Sequence, residues 1–112
     1  MKSIELYSST LERLNQIVLV MLSPEWDDAL QSVSPEKRRA ALRALVRVQH
    51  ARLVLGNAAL QDIVEALEEN EDALVKGQKA VQSALDKLEN VVKVLKAVSG
   101  FIDVIARVVA LF

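Results

Sequence analysis

Apolar residues recur at every seventh position along the second half of the chain. One column of this repeat is apolar throughout and comprises Leu60, Leu67, Leu74, Val81, Leu88, Leu95, Ile102 and Val109. Phe101 and Phe112 lie in the two columns beside it. A repeat of seven that is sustained this long is typical of a helix packed along a left-handed seam. We therefore predict one long helix over about residues 58–112, with these side chains forming an interaction seam.

The first half of the chain predicts shorter helices. Apolar residues recur at helical spacing over residues 4–22 and again over 35–55. Two Ser-Pro-Glu triplets start a short helix over 24–32 and the helix over 35–55, because serine caps a helix and proline suits its first position. The predicted fold class is all-α, with one domain over residues 1–112. The expected architecture is an elongated or bent helical bundle, in which a shorter N-terminal helical pair packs on the long C-terminal helix.

The pair Gly56-Asn57 is an ambiguous joint between the third and fourth predicted helices. Glycine followed by asparagine can end one helix and cap the next. A reversal there would bring Arg47 near Glu65 and Arg43 near Glu69, which makes a charge-matched hairpin. The seven-residue register nevertheless continues unbroken from residue 42 to residue 63, and a turn has no reason to preserve that phase. The pattern favours a continuous or kinked helix, and the hairpin stays open as the alternative.

The predicted long helix is longer than the helices available to cover it. At 1.5 Å per residue it would span roughly 80 Å, whereas each of the two longer N-terminal helices would span only roughly 30 Å. An uncovered remainder would be a large apolar patch, which normally marks an interaction surface. The chain must therefore bend the long helix into a compact bundle or pair it with another chain.

Charge is balanced overall but unevenly distributed. The 112 residues carry a net charge of −1, yet residues 37–52 contain bases and no acid, and residues 61–72 contain acids and no base. On a helical wheel the third helix carries a basic stripe of Arg39, Arg43, Arg47 and His50. Such a stripe could follow a phosphate backbone, but no aromatic residue accompanies it to stack on bases. We expect it to pair with the acidic stretch over residues 61–72 of its own or a neighbouring chain; weak RNA binding is the disfavoured alternative.

Residues capable of catalysis or metal binding are few. The acids at positions 65, 68, 69 and 72 point away from the seam, and the chain has one histidine and no cysteine. A carboxylate metal site in a bundle would need such acids to face inward with histidine beside them. No glycine-rich phosphate loop follows a strand. The sequence therefore predicts no catalytic residue, no metal site and no cofactor.

Two functions remain after these exclusions. The first is a non-enzymatic protein–protein interaction or oligomerisation module, such as an adaptor, a regulator or a toxin-neutralising partner, that uses the seam over residues 60–112. The alternative is a membrane-active protein or pore-forming component that uses residues 91–112, where a wide apolar arc leaves only a thin polar strip. The chain shows no signal peptide and no apolar run long enough to span a bilayer, so the expected compartment is the cytoplasm.

Overall fold

The computed structural model describes residues 2–110, and every regular element in that range is a helix. The helices are α1 (Ser3–Met21), α2 (Pro24–Gln31), α3 (Pro35–Asn57), α4 (Leu60–Glu69), α5 (Glu71–Leu85) and α6 (Val91–Ile105). The predicted all-α class is therefore confirmed. The chain measures 44 × 25 × 18 Å and has a radius of gyration of 14.0 Å, close to the value for a compact domain of this length.

The two Ser-Pro-Glu triplets start α2 and α3, as the sequence predicts. The Ser23 hydroxyl accepts a hydrogen bond from the backbone N–H of Trp26 at 3.3 Å, and the Ser34 hydroxyl accepts one from Lys37 at 3.3 Å. Each serine satisfies an N–H group that has no partner within its own helix, and the proline that follows already has the helical φ angle. These caps fix where the chain turns between α1, α2 and α3.

The predicted single helix over residues 58–112 is wrong, because that stretch forms α4, α5 and α6. Between α4 and α5, the Asn70 side-chain amide donates to the Ala66 carbonyl at 2.9 Å. Residues 86–90 make the next turn, after which the Asn90 side chain accepts from the backbone N–H of Lys93 at 3.1 Å and caps α6. Asparagine favours such ends because its side chain competes for backbone hydrogen bonds. A seven-residue repeat identifies an apolar face of a helix and does not require one continuous helix.

The junction after α3 is neither the continuous helix that the pattern favours nor the charge-matched hairpin that was its alternative. Gly56 and Asn57 lie in the last turn of α3, and the break follows at Ala58 and Ala59, whose ψ angles are 139° and 128°. α4 then packs against α1 and α5. Two extended residues interrupt the helical rotation, so the face that points inward in α3 has no fixed relation to the face that points inward in α4.

Four of the helices form the walls of a bundle, in the order α1, α3, α6, α5 around its axis. α1 and α3 are antiparallel: the Tyr7 hydroxyl donates to the Leu55 carbonyl at 2.8 Å, and the Arg52 guanidinium donates to the Asn15 side chain at 3.2 Å. α5 and α6 are also antiparallel. The seam that was expected to span roughly 80 Å is therefore folded back on itself within one chain.

α1 and α5 are parallel neighbours in this ring. The Gln78 amide donates to the Ser9 hydroxyl at 3.1 Å, and one turn later the Arg13 guanidinium donates to the Gln82 side chain at 3.3 Å. The parallel pair is possible because α4 carries the chain across one end of the bundle, from the end of α3 to the start of α5. α2 joins α1 to α3 at the opposite end. The predicted arrangement, a short helical pair on one long helix, is thus replaced by a four-helix ring with two end helices.

Candidate protein-interaction surface

The predicted interaction seam forms the core of the chain itself. Leu67, Leu74, Val81, Phe101 and Ile102 are fully buried, and Val109 is buried as well. Leu60, Leu88 and Leu95 are half-buried and pack against the core. The side chains of these nine residues therefore make their contacts within the chain, so this fold does not present them to a partner. The tenth predicted residue of the seam, Phe112, lies outside the described residues.

The structure divides the predicted basic stripe into two parts. Arg39, Arg43 and His50 are exposed on α3. Arg47 instead turns toward α6, where its guanidinium contacts Asp103 at 3.1 Å and Ser99 at 3.4 Å. The partner of Arg47 is therefore in α6, and not Glu65 as the alternative hairpin would require. The exposed part of the stripe borders a surface that the sequence analysis did not single out.

That surface is an apolar face on α1 and α3. Its members are large aliphatic side chains that are each 63–71 % exposed, and they are Leu19, Leu22, Leu42, Val46 and Leu53. We call these five residues the α1/α3 face. Single exposed leucines are common on soluble proteins, but several on two neighbouring helices form a patch that calls for an explanation.

The α1/α3 face exists because α3 carries apolar residues on two sides and turns only one of them inward. Ala41 and Ala51 are buried in the core, where Val48 and Leu55 accompany them. The larger Leu42 and Leu53 and the branched Val46 remain outside. Burying a leucine side chain contributes about 1.5–3 kcal/mol, so a helix that served only its own core would be expected to place leucine inside and alanine outside. α3 is apolar on two sides.

A groove deepens one end of the α1/α3 face. It has a volume of about 190 Å³, and its lining includes Leu22 from α1, Leu42 and Leu45 from α3, and the buried Trp26 from α2. The antiparallel register of α1 and α3 extends the face from this groove toward Leu53. The hydrogen bond between Arg52 and Asn15 ties the two helices together at that level. The face is thus a surface on two helices whose relative position is set by direct bonds.

Opposite charges lie beyond the two ends of the exposed stripe on α3. Lys37, Arg38 and Arg39 are exposed in the first turns of α3. Asp62 and Glu65 are exposed on α4, which follows the other end of α3. Charges around an apolar patch mainly set the orientation and the rate of association of a partner. The Leu42 end also carries acids, because Asp27 lines the groove there and Glu36 is exposed beside Lys37.

The described residues also bear on a metal site and on a membrane-active helix. Within residues 2–110, no group of three or more His, Asp or Glu side chains is placed to hold a metal ion. None of the helices in that range combines the length and the apolar character needed to cross a bilayer. Most of the apolar arc of α6 faces the core, where Val94, Val98 and Ile105 are fully buried. Val92 is an exception and is exposed.

The sequence contains a signal for the α3 part of the α1/α3 face, which is the seven-residue register. Leu42, Val46 and Leu53 belong to the seven-residue register that continues into residues 60–109. That register favours a continuous helix through Gly56-Asn57, whereas in the structure its residues in α3 face outward. No family model matches the chain, and no curated protein and no solved structure matches it either. The α1/α3 face is therefore the feature from which we infer a function.

Proposed function

We propose that this chain is a non-enzymatic helical protein–protein interaction module whose contact surface is the α1/α3 face. The observation that carries the proposal is the presence of five large aliphatic side chains, each 63–71 % exposed, on two adjacent helices. A patch of this kind on a folded domain marks a site that another surface covers. The proposal keeps the class of function expected from the sequence and moves the contact from residues 60–112 to α1 and α3.

The size of the face suits a specific interface. Its exposed side chains present on the order of 500 Å² of apolar surface, which is at the upper end for a single patch on a monomer. A standard interface buries about 800 Å² on each partner. The face would supply roughly 60 % of that area as apolar surface, and the exposed bases and acids around it would supply a polar rim.

The alternative function, membrane activity through residues 91–112, has weaker support. The apolar arc of α6 packs against α3 and α5. Releasing it would expose the core of the bundle, including fully buried side chains such as Phe101. The α1/α3 face needs no such rearrangement, because it is exposed in the folded chain. The interaction function is therefore the better supported of the two.

Site-specific photo-crosslinking tests the proposed function. A photoreactive amino acid would replace Val46, which is central in the face, or Val92, an equally simple exposed valine on α6 that is 52 % exposed. In cells that produce the chain, we expect one discrete adduct from position 46 and none from position 92. The mass of the adduct would identify the occupant. The proposal fails if positions 42, 46 and 53 all give no discrete adduct, or if position 92 gives the same adduct.

A further inference from the structure

We infer that the α1/α3 face is covered by a second copy of this chain, related by a two-fold axis that passes between Val46 and Gln49 and pairs the two α3 helices antiparallel. This inference rests on the proposed function and names its partner. Three independent features of the face support it: the spacing of the exposed residues, the position of the charges and the available apolar area.

The exposed stripe on α3 is self-complementary under reversal. Leu42, Val46, Gln49 and Leu53 are all exposed and are separated by four, three and four residues. Read backwards, the spacing is the same. Antiparallel pairing therefore sets Leu42 opposite Leu53 of the second copy and Val46 opposite Gln49 of the second copy. A two-fold interface requires the same patch to be complementary to itself, and a stripe of alternating four and three spacing is the one that packs helix against helix.

Gln49 gives this stripe a defined register. It is the polar member of an otherwise apolar set and lies next to the proposed axis. One polar residue in an apolar helix seam restricts the register, because registers that leave its amide without a polar partner are costly. In the two-fold arrangement the two Gln49 side chains approach each other near the axis, where each amide can donate to the other and accept from it.

Charge selects the antiparallel orientation. Lys37, Arg38 and Arg39 lie beyond the Leu42 end of the stripe, and Asp62 and Glu65 follow the Leu53 end. Antiparallel pairing directs Arg38 and Arg39 of each copy toward the end of the other copy that Asp62 and Glu65 follow, although Asp27 and Glu36 reduce the positive charge at the Leu42 end. Parallel pairing would set base against base and acid against acid, which opposes association.

The groove and the available area fit the same occupant. The groove lined by Leu22, Trp26 and Leu42 lies at the end of the stripe that faces Leu53 of the second copy. A leucine side chain is the kind of group that such an apolar groove admits. The face could supply roughly 60 % of the area that one partner contributes to a standard interface, and the surface around it would supply the remainder.

The mass in solution is the first test. Multi-angle light scattering between about 1 and 100 µM should show a rise from the 12.4 kDa monomer to twice that mass. Val46→Glu should weaken the dimer about 100-fold or more, because the two-fold axis brings both new carboxylates together. Val92→Glu is the matched control and should leave the dimer unchanged. A wild-type chain that stays monomeric, or equal effects of the two variants, overturns the inference.

Disulfide trapping tests the geometry, and the chain suits it because it has no cysteine. Under mild oxidation, Leu42→Cys mixed with Leu53→Cys should form a mixed disulfide, because antiparallel pairing sets these positions opposite each other. Each variant alone should not crosslink, since its two copies lie about 16 Å apart along the helices, beyond disulfide reach. Val92→Cys is the control. Efficient crosslinking of Leu42→Cys with itself would show a parallel pair and overturn the inference.

The two proposals fail in different ways. A monomeric chain that gives a discrete photo-adduct with another protein from position 46 disproves the second copy and leaves the interaction function standing. A monomeric chain without any adduct from the face disproves both. Both proposals are also disproved if the chain forms a dimer that Val46→Glu does not weaken and if the α1/α3 face gives no adduct.

Discussion

One apolar column of the seven-residue repeat lies in two different environments in this molecule. Val46 and Leu53 of α3 belong to the same column as Leu67, Leu74 and Val81. The two residues in α3 are 67 % and 64 % exposed, whereas the three in α4 and α5 are fully buried. An identical pattern is thus surface in one region and core in the other.

The difference begins at the break between α3 and α4. Ala58 and Ala59 are extended, so the helical phase that runs through the sequence is not the phase of the folded chain. α3 buries another register, which contains Val48 and Leu55. The comparison teaches that a seven-residue repeat identifies a face to be covered and leaves open whether the same chain covers it.

Truncating one buried leucine and one exposed leucine should give the largest difference in the free energy of unfolding. Leu74→Ala should lower the free energy of unfolding by about 2–5 kcal/mol, because a fully buried side chain is lost and a cavity remains. Leu42→Ala should change it by no more than about 0.5 kcal/mol when the chain is kept monomeric, since that side chain is largely solvated. Urea unfolding measures both values. Equal losses would mean that the two regions do not differ as described.

Gly77 tests how closely α5 and α6 approach each other in the buried region. A Cβ atom at Gly77 would lie 2.9 Å from Cδ1 of Phe101, and the fully buried ring has little room to move. Gly77→Ala should therefore destabilise the chain by about 1–2 kcal/mol despite the better helix propensity of alanine.

Gly100→Ala is the control for this prediction. A Cβ atom there meets nothing within 4 Å, so the variant should gain up to about 1 kcal/mol from helix propensity. Thermal unfolding of both variants gives the sign directly. Stabilisation of both by a similar amount would contradict the close approach of α5 and α6 at Gly77.

Charge reversal should have the smallest effect of these variants, and the affected quantity is the dissociation constant of the proposed dimer. It tests whether a second copy covers the exposed residues of α3. Arg39→Glu and Asp62→Lys should each weaken the proposed dimer about 3- to 10-fold, because each places like charges at both ends of the interface. The double variant should recover most of the affinity, since it exchanges the two charges. Sedimentation equilibrium at low salt measures the dissociation constants, and salt should reduce all the differences. Losses that add in the double variant would argue against antiparallel pairing.

Several features of the fold follow from the sequence alone. The all-α class follows from the helical spacing of the apolar residues and from the scarcity of glycine and proline. The starts of α2 and α3 follow from the serine caps, because capping is a contact between residues three apart. These are local properties, so the neighbouring residues are sufficient to determine them.

The arrangement of the helices and the α1/α3 face were decided only by the tertiary structure. The sequence shows that Val46 and Leu74 occupy equivalent positions, but it does not show which surfaces are within reach of each. Breaks at Ala58-Ala59 and at residues 86–90 redirect the helices, and α4 carries the chain across the end of the bundle. Burial depends on contacts between residues far apart in the chain. For that reason the repeat could predict an interaction surface and could not locate it.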